Sequence, residues 1–272
     1  MVERVDFSRN APVYDRRHGA LLPDDAVDRL LTGGGDQPGA LVLDIGAGTG
    51  RVAIPFAANG CSVVALEPAR GMIDQLRAKG SEVTLSLVVG DGGRLPFAAG
   101  TFDLCVIARL LYLTENWREI TREAHRVLAM NGALLHEWGN GQDDEEWVQI
   151  REEARRLFEL AGVRKPFHPG VRSEADVEVY LAGIGLVREA DVVVGPGPNV
   201  SLGEFLKRLV EGELSYIWNV PEDVRANCIP QLHAWAAEAF DLNRSISIPG
   251  EIRWTVYRKQ AAGGERSLRS PP

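Results

Sequence analysis

Short apolar runs alternate along this chain with stretches whose apolar positions recur every three or four residues. LVLDI ending at Ile45, CSVVALE ending at Glu67, VTLSLVVG from Val83, the run opened by Phe102-Asp103, and GALLHEWGN each read as a strand buried on both faces. Between them lie helical stretches. The first runs from Arg51 to about Ala58 and is closed by Asn59-Gly60; the second is ARGMIDQLRAKG, with Met72, Ile73 and Leu76 on its apolar side. A third starts at Thr114, carries Ile120, Ala124, Val127 and Leu128 as its stripe, and closes at Asn131-Gly132. Strand and helix in strict alternation predict an α/β fold around a parallel sheet. Ser173, with Asp176 three residues on, caps a further helix, LVREADVVV reads as strand six, and EIRWTVYRK alternates as a final strand.

Two stretches leave this rhythm. Residues 140–172 hold the charged amphipathic helix DDEEWVQIREEARRLFELAG, and residues 197–246 hold two or three helices from SLGEFLKRLVEGELSYIW and PEDVRANCIPQLHAWAAEAF. Residues 1–22 show no steady period, Pro23 opens a short helix over PDDAVDRLL, and GGGDQPG at 33–39 is a loop. The tail AAGGERSLRSPP is expected to be disordered.

The junction after the first strand carries the chemistry. Gly46, Gly48 and Gly50 make a tight turn from which Cβ atoms are missing, so a ligand can lie against bare backbone. A dinucleotide fingerprint, G-x-G-x-x-G, needs a third glycine at position 51, where this chain has Arg51. Glu67 ends the second strand at 67 − 46 = 21 positions past Gly46, close to the spacing of an acid that accepts hydrogen bonds from ribose hydroxyls. Asp91 follows the third strand, where an adenine amino group can be read.

Composition narrows the ligand. A net charge of −8 and a pI near 5.3 argue against a backbone-dominated nucleic-acid binder, which needs clustered Lys and Arg, and favour a small-molecule or local peptide substrate. Cys61, Cys105 and Cys228 stand apart without C-x-x-C or Cys/His grouping, so no metal site is expected and the thiols read as free in a reducing compartment. No run reaches a membrane span and no apolar signal core opens the chain; a cytoplasmic location without membrane association is the expectation.

Gly46-x-Gly48-x-Gly50 resembles motif I of the class I S-adenosylmethionine (SAM) dependent methyltransferases. Leu95-Pro96-Phe97 before Phe102-Asp103, and RVLAMNGALL, resemble the "LPF…FD" and "RVLKPGG" passages of the methyltransferase type 11 group, which includes ubiquinone and menaquinone enzymes. The resemblance implies a Rossmann-like, doubly wound seven-stranded sheet, mostly parallel, with the last strand antiparallel between strands five and six, and with helical lid insertions. It divides the chain into an N-terminal lid segment and helix (1–39), a SAM-binding core (40–139), a helical insertion (140–172), a core helix and strand six (173–196), a second insertion (197–246), the last core strand (247–259) and the tail (260–272). It implies S-adenosyl-L-methionine as cofactor. Asp44 and Gly46 would face the amino acid moiety, Gly48 and Gly50 would allow close approach, and Ala47 and Pro68 would be further cofactor-binding residues. Glu67 would lie at the ribose, Met72 against ribose and adenine, Asp91 and Gly92 at adenine, and Arg109 would act through its backbone. Tyr14, in a Tyr-x-x-Arg element, would fold over the pocket as a lid, and it or a nearby Arg would hold the methionine carboxylate.

The resemblance implies a small-molecule acceptor methylated at O, N or C. Where relatives carry a His-His-like pair after strand four, this chain reads Leu110-Leu111-Tyr112, so the candidates for acceptor contact are Tyr112, His136, His168, Tyr216 and His233, with Trp138, Trp218 and Trp254 as stacking surfaces. Two other readings stay open at this stage: a nicotinamide-dependent oxidoreductase, and a SAM-binding domain without catalysis. The sequence does not define the oligomeric state.

Overall fold

The computed structural model describes residues 7–18, 21–35, 39–138, 144–163, 169–195, 199–211, 217–218, 220–247 and 252–260. A seven-stranded sheet is built from β1 (Leu41–Ile45), β2 (Ser62–Glu67), β3 (Leu85–Val89), β4 (Phe102–Ala108), β5 (Leu128–Glu137), β6 (Leu186–Val194) and β9 (Ile252–Lys259), in the spatial order β3-β2-β1-β4-β5-β9-β6. The first five strands are parallel, and β9 runs antiparallel between β5 and β6, as expected from the sequence.

Side chains alternating along each central strand feed two cores. Val42, Leu104 and Val106 face a layer that includes α2 (Asp24–Gly34) and α3 (Ala53–Ala58); Leu43, Ile45, Cys105 and Ile107 face α5 (Trp117–Val127) and α7 (Glu174–Gly183). This is why the strands read as continuous apolar runs. The motifs that carry the family resemblance turn out to be physical clamps. Asp103 Oδ2 accepts from the Leu41 amide at 2.8 Å and sets the entry to β1; Arg126 donates to the Leu95 and Phe97 carbonyls and ties the Leu-Pro-Phe loop to α5.

Several boundaries differ from expectation. The helix expected from Arg51 starts at Ala53, because Arg51 and Val52 complete the turn. The helix expected from Thr114 starts at Trp117, after a 3-10 turn at Leu111–Leu113, and ends at Val127; Leu128 already belongs to β5. The Asn131-Gly132 turn is present as an irregularity inside β5, where pairing with β4 jumps from Leu128 to Ala133 and Asn131 adopts φ 64. The segment before Pro23 is helical: α1 (Phe7–His18) forms despite Pro12 inside it. It lies on α4 (Arg70–Lys79) so closely that a Cβ on Gly71 would fall 2.3 Å from the Ser8 carbonyl oxygen.

The two insertions pack on each other. Trp147, Ile150, Ala154 and Phe158 of α6 (Glu145–Leu160) share a separate core with Leu202, Phe205 and Leu206 of α8 (Leu202–Val210) and with Cys228, Ile229 and Leu232 of α9 (Glu222–Ala239). The Trp147 and Phe205 rings meet edge-on at 4.2 Å. A two-stranded ribbon of β7 (Asn199–Ser201) and β8 (Ser245–Ser247) closes the second insertion, and Arg244 pairs with Asp144 and Glu146 at the start of α6.

Candidate active site

Strand order reverses between β1 and β4, and the carboxyl ends of the strands around that point are where an open α/β sheet collects its ligand. Gly46, Gly48 and Gly50 all have positive φ, at 76, 54 and 92°. A Cβ on Gly46 would lie 2.9 Å from Leu110, so the segment after β4 closes directly over the turn. The turn's amides are largely spent. Gly46 and Ala47 donate to the Leu66 carbonyl, Gly50 donates to Ala47, and Gly48 donates to Glu67 Oε2 at 3.0 Å. A pyrophosphate cradle needs such amides unpaired and aimed outward; here they are turned inward to hold the loop against β2.

Glu67 is the centre of that arrangement. Its second oxygen accepts from the Ala69 amide at 2.9 Å, so both oxygens are held while lone pairs remain for further donors. Burial raises its pKa, and the two amides partly offset that. Asp44, 2% exposed, points from the end of β1 with Oδ2 unpartnered among the described residues. Burial, followed by repulsion from Glu67, pushes its pKa up to about 7. An orphaned, buried carboxylate oxygen calls for a cationic or donor partner. At the end of β3, Asp91 is exposed, and its Oδ1 accepts from the Gly93 amide at 2.8 Å and from Asn116. Gly92 is buried against Ile45, Pro68 is exposed beside Glu67, and Met72 is 2% exposed on α4.

Tyr14 reaches this place from α1. A Cβ on Gly48 would lie 3.9 Å from its ring, and the ring also packs edge-on with Phe7 at 6.2 Å and Trp218 of the second insertion at 6.5 Å. The segment expected to act as a lid thus brings Tyr14 near Gly48, within an aromatic trio of Phe7, Tyr14 and Trp218.

The sequence reading missed a charged cluster on the far side. Arg51, next after the glycines, crosses to Glu137 at the end of β5 with contacts of 2.6 and 3.3 Å, and Arg109 meets the same carboxylate at 2.6 Å. All three are largely buried, with side-chain exposures of 15, 2 and 12%. Burial works against the Glu137 carboxylate, but Arg109 and Arg51 together outweigh it and hold its pKa below the ordinary range. Arg109 itself sits at φ 53, a left-handed conformation unusual for a side chain of this size. The available signal for Arg51 was its position, the one at which a dinucleotide turn would require glycine.

The acceptor candidates separate. The half-buried rings of Tyr112 and Trp138 pack edge-on at 5.9 Å just beyond Arg109 and Glu137. His136 is buried on the opposite face of β5 from Glu137, packed with Trp138 and Tyr257, and both ring nitrogens lack partners among the described residues. Burial lowers its pKa to about 4, so the ring is neutral at pH 7. His233 is exposed on α9, Trp254 is fully buried in the core, and His168, Tyr216 and the tail lie outside the described residues. Among the described residues no group of His, Cys, Asp and Glu could hold a metal, the three cysteines are free and buried, and no helix is long and apolar enough to cross a membrane.

Comparison with known proteins agrees with this architecture. Residues 43–136 match the family described as "Methyltransferase domain", the type 11 group. The chain is 31% identical to malonyl-[acyl-carrier protein] O-methyltransferase of Serratia marcescens over 47% of its own length, and it spans only about half, 49%, of that relative. It is 32% identical to an uncharacterised methyltransferase of Mycobacterium tuberculosis over 67% of its own length and 74% of the relative's. In fold it resembles the crystal structure of the YcgJ protein from Bacillus subtilis, with a TM-score of 0.60, 18% identity, and coverage of 88% of this chain and 100% of that one. A methyltransferase profile over the core, a methyltransferase relative matched along most of its length, and a seven-stranded sheet with β9 reversed lead to one conclusion: this chain belongs to the class I SAM-dependent methyltransferases of the type 11 group.

Proposed function

We propose that the chain transfers a methyl group from S-adenosylmethionine to an O, N or C atom of a small-molecule acceptor. The observation that carries this reading is the unpartnered Oδ2 of Asp44, among the described residues, beside a glycine turn whose Gly48 amide is held by Glu67. The residues fit the cofactor. Asp44 offers a carboxylate to the methionine ammonium, Glu67 offers lone pairs to the ribose hydroxyls, and Asp91 with Gly92 faces adenine. The glycine turn and the Arg109 backbone border the methionine, Met72 and Pro68 lie along the adenosine, and Tyr14 covers it. The inward-turned amides and Arg51 in place of a third glycine disfavour the nicotinamide-dependent alternative.

The bound cofactor supplies a methyl already activated by its sulfonium, so the protein's task is mainly to place the acceptor in line. Positioning of this kind is worth roughly 7–11 kcal/mol, against about 10²–10⁴ in rate for a general base. His136, with a pKa near 4, makes a poor proton sink at neutral pH and serves better as a neutral hydrogen-bonding group. Tyr112 and Trp138 supply the apolar faces against which an acceptor can stack. The two insertions form a roof that excludes water from the reacting atoms.

Transfer of labelled methyl from SAM to small molecules of a cell extract tests the reading. Label should enter a low-molecular-weight product with the unaltered chain and fall several-fold with Asp91→Ala at sub-saturating SAM. Cofactor binding without any transfer would instead favour a domain that binds SAM without turning it over.

A further inference from the structure

The last two residues of β5 point to opposite faces of the sheet. Glu137 meets Arg51 and Arg109, whereas His136 shares its face with Leu134 and Trp138, which pack in the core beneath α5 and α7. Across the ladder, Thr255 of β9 stands opposite His136 and Tyr257 opposite Leu134. The His136 ring lies 6.5 Å from the Tyr257 ring, and neither of its nitrogens has a partner among the described residues. Tyr257 Oη, also buried, is in the same condition. Three polar atoms of two neighbouring rings are thus buried together without hydrogen bonds, a costly arrangement unless something bonds to them.

Their chemistry limits what that can be. The imidazole is neutral at pH 7, so one nitrogen donates and the other accepts, and the Tyr257 hydroxyl does both. The charges acting on Tyr257 are those of Glu178 and Glu174 of α7, Arg188 and Asp191 of β6, and Arg188 is already paired with Glu178 and Asp191. Glu137 acts on His136 from the other face. These acids disfavour an anion, and an ammonium offers no acceptor to the donating nitrogen. A hydroxyl supplies donor and acceptor from one atom.

Access runs past Trp138. This half-buried ring lies edge-on to His136 at 6.3 Å on one side and to Tyr112 at 5.9 Å on the other, so the imidazole is reached from the aromatic pair when Trp138 swings aside. Two strand spacings separate β5 from β1, about 10 Å, so a group held at His136 anchors the acceptor while another atom takes the methyl above the glycine turn.

Resting on the methyltransferase reading above, we infer that His136 is a specificity-determining residue for the acceptor: with Tyr257 beside it, it holds a hydroxyl of an uncharged aromatic acceptor whose ring lies against Tyr112 once Trp138 has swung aside.

The test uses the full chain saturated with S-adenosylhomocysteine and a set of mono- and polycyclic hydroxyarenes, each beside the analogue with methyl in place of hydroxyl, with binding read by calorimetry. Hydroxyarenes should bind roughly tenfold or more tightly than their methyl analogues. His136→Leu should erase that preference. Because it removes two unpartnered nitrogens from the interior, the ligand-free variant should melt no lower than the unaltered chain. His136→Gln, which keeps a donor and an acceptor, should retain part of the preference and serves if His136→Leu does not fold. Equal binding of hydroxyarenes and methyl analogues, no binding of any hydroxyarene, or a preference that survives in His136→Leu overturns the inference. So does a lost preference accompanied by a lowered Tm, or failure of both variants to fold, either of which would make His136 a structural residue. Failure of the unaltered chain to bind S-adenosylhomocysteine at all defeats the methyltransferase reading instead.

Discussion

Asp44→Asn separates the demands of the site from those of the fold. Without a ligand, the Asp44 carboxylate is buried, one oxygen is unpartnered, and its pKa rises from 3.8 to about 7. A raised pKa means the folded protein prefers the protonated form. The stability that Asp44 contributes is therefore complete below about pH 3.8 and is lost as pH rises through about 7. At 1.36 kcal/mol per unit, the raised pKa costs the fold roughly 2 kcal/mol at pH 5, where only the unfolded chain is ionised, and roughly 4 kcal/mol at pH 8. Asn carries no charge and escapes this cost, but its amide leaves an unpartnered N–H at roughly 1–3 kcal/mol. Urea denaturation of both proteins at pH 5, 6.5 and 8 should therefore show the variant near parity at pH 5 and more stable at pH 8. The difference should move by roughly 2–3 kcal/mol in its favour across the range. His136 and Glu137 titrate in both proteins and cancel in the comparison. A stability difference that does not change with pH would refute the reasoning, because Asp44 would then have an ordinary pKa. The same variant should bind SAM at least tenfold more weakly, since the ammonium loses its counter-charge.

Other consequences follow from the same geometry. SAM affinity of the unaltered chain should fall as pH drops from 8 to 6 by equilibrium dialysis, and the Asp44→Asn variant should show a flatter profile over that range. Asp91→Ala should raise the dissociation constant for SAM about tenfold by calorimetry, the loss of one or two hydrogen bonds to adenine, with little effect on Tm because the side chain is exposed. Phe205→Ala, which empties a fully buried site against Trp147, should cost about 3–5 kcal/mol in denaturation of the roof while S-adenosylhomocysteine binding to the sheet persists. Loss of both together would mean that roof and sheet fold as one unit.

What the sequence made legible was local. Gly46-x-Gly48-x-Gly50, Glu67 and Asp91 lie at strand ends, and strand ends are marked by runs of apolar residues, so the positions of the residues proposed for the cofactor could be read by counting along the chain. The charged cluster could not, because Arg51, Arg109 and Glu137 are brought together by the pairing of β1, β4 and β5 rather than by spacing. Helix α1 escaped for a related reason. With Pro12 inside it and no steady period, it is held by contacts with distant residues, the close approach of Ser8 to Gly71 and the packing of Phe7 and Tyr14 on Trp218. The ribbon of β7 and β8 has three residues to a strand, too few for an alternation to register.

Calorimetric titration of the full chain with S-adenosylhomocysteine, beside Glu67→Ala and beside NADH as a competing ligand, bears most directly on the whole account. Glu67 fastens the glycine turn and offers its remaining lone pairs to the ribose, so the account predicts binding by the unaltered chain, at least tenfold weaker binding by the variant, and no heat from NADH. S-adenosylhomocysteine binding that is absent or indifferent to Glu67, or tight binding of NADH, would contradict it.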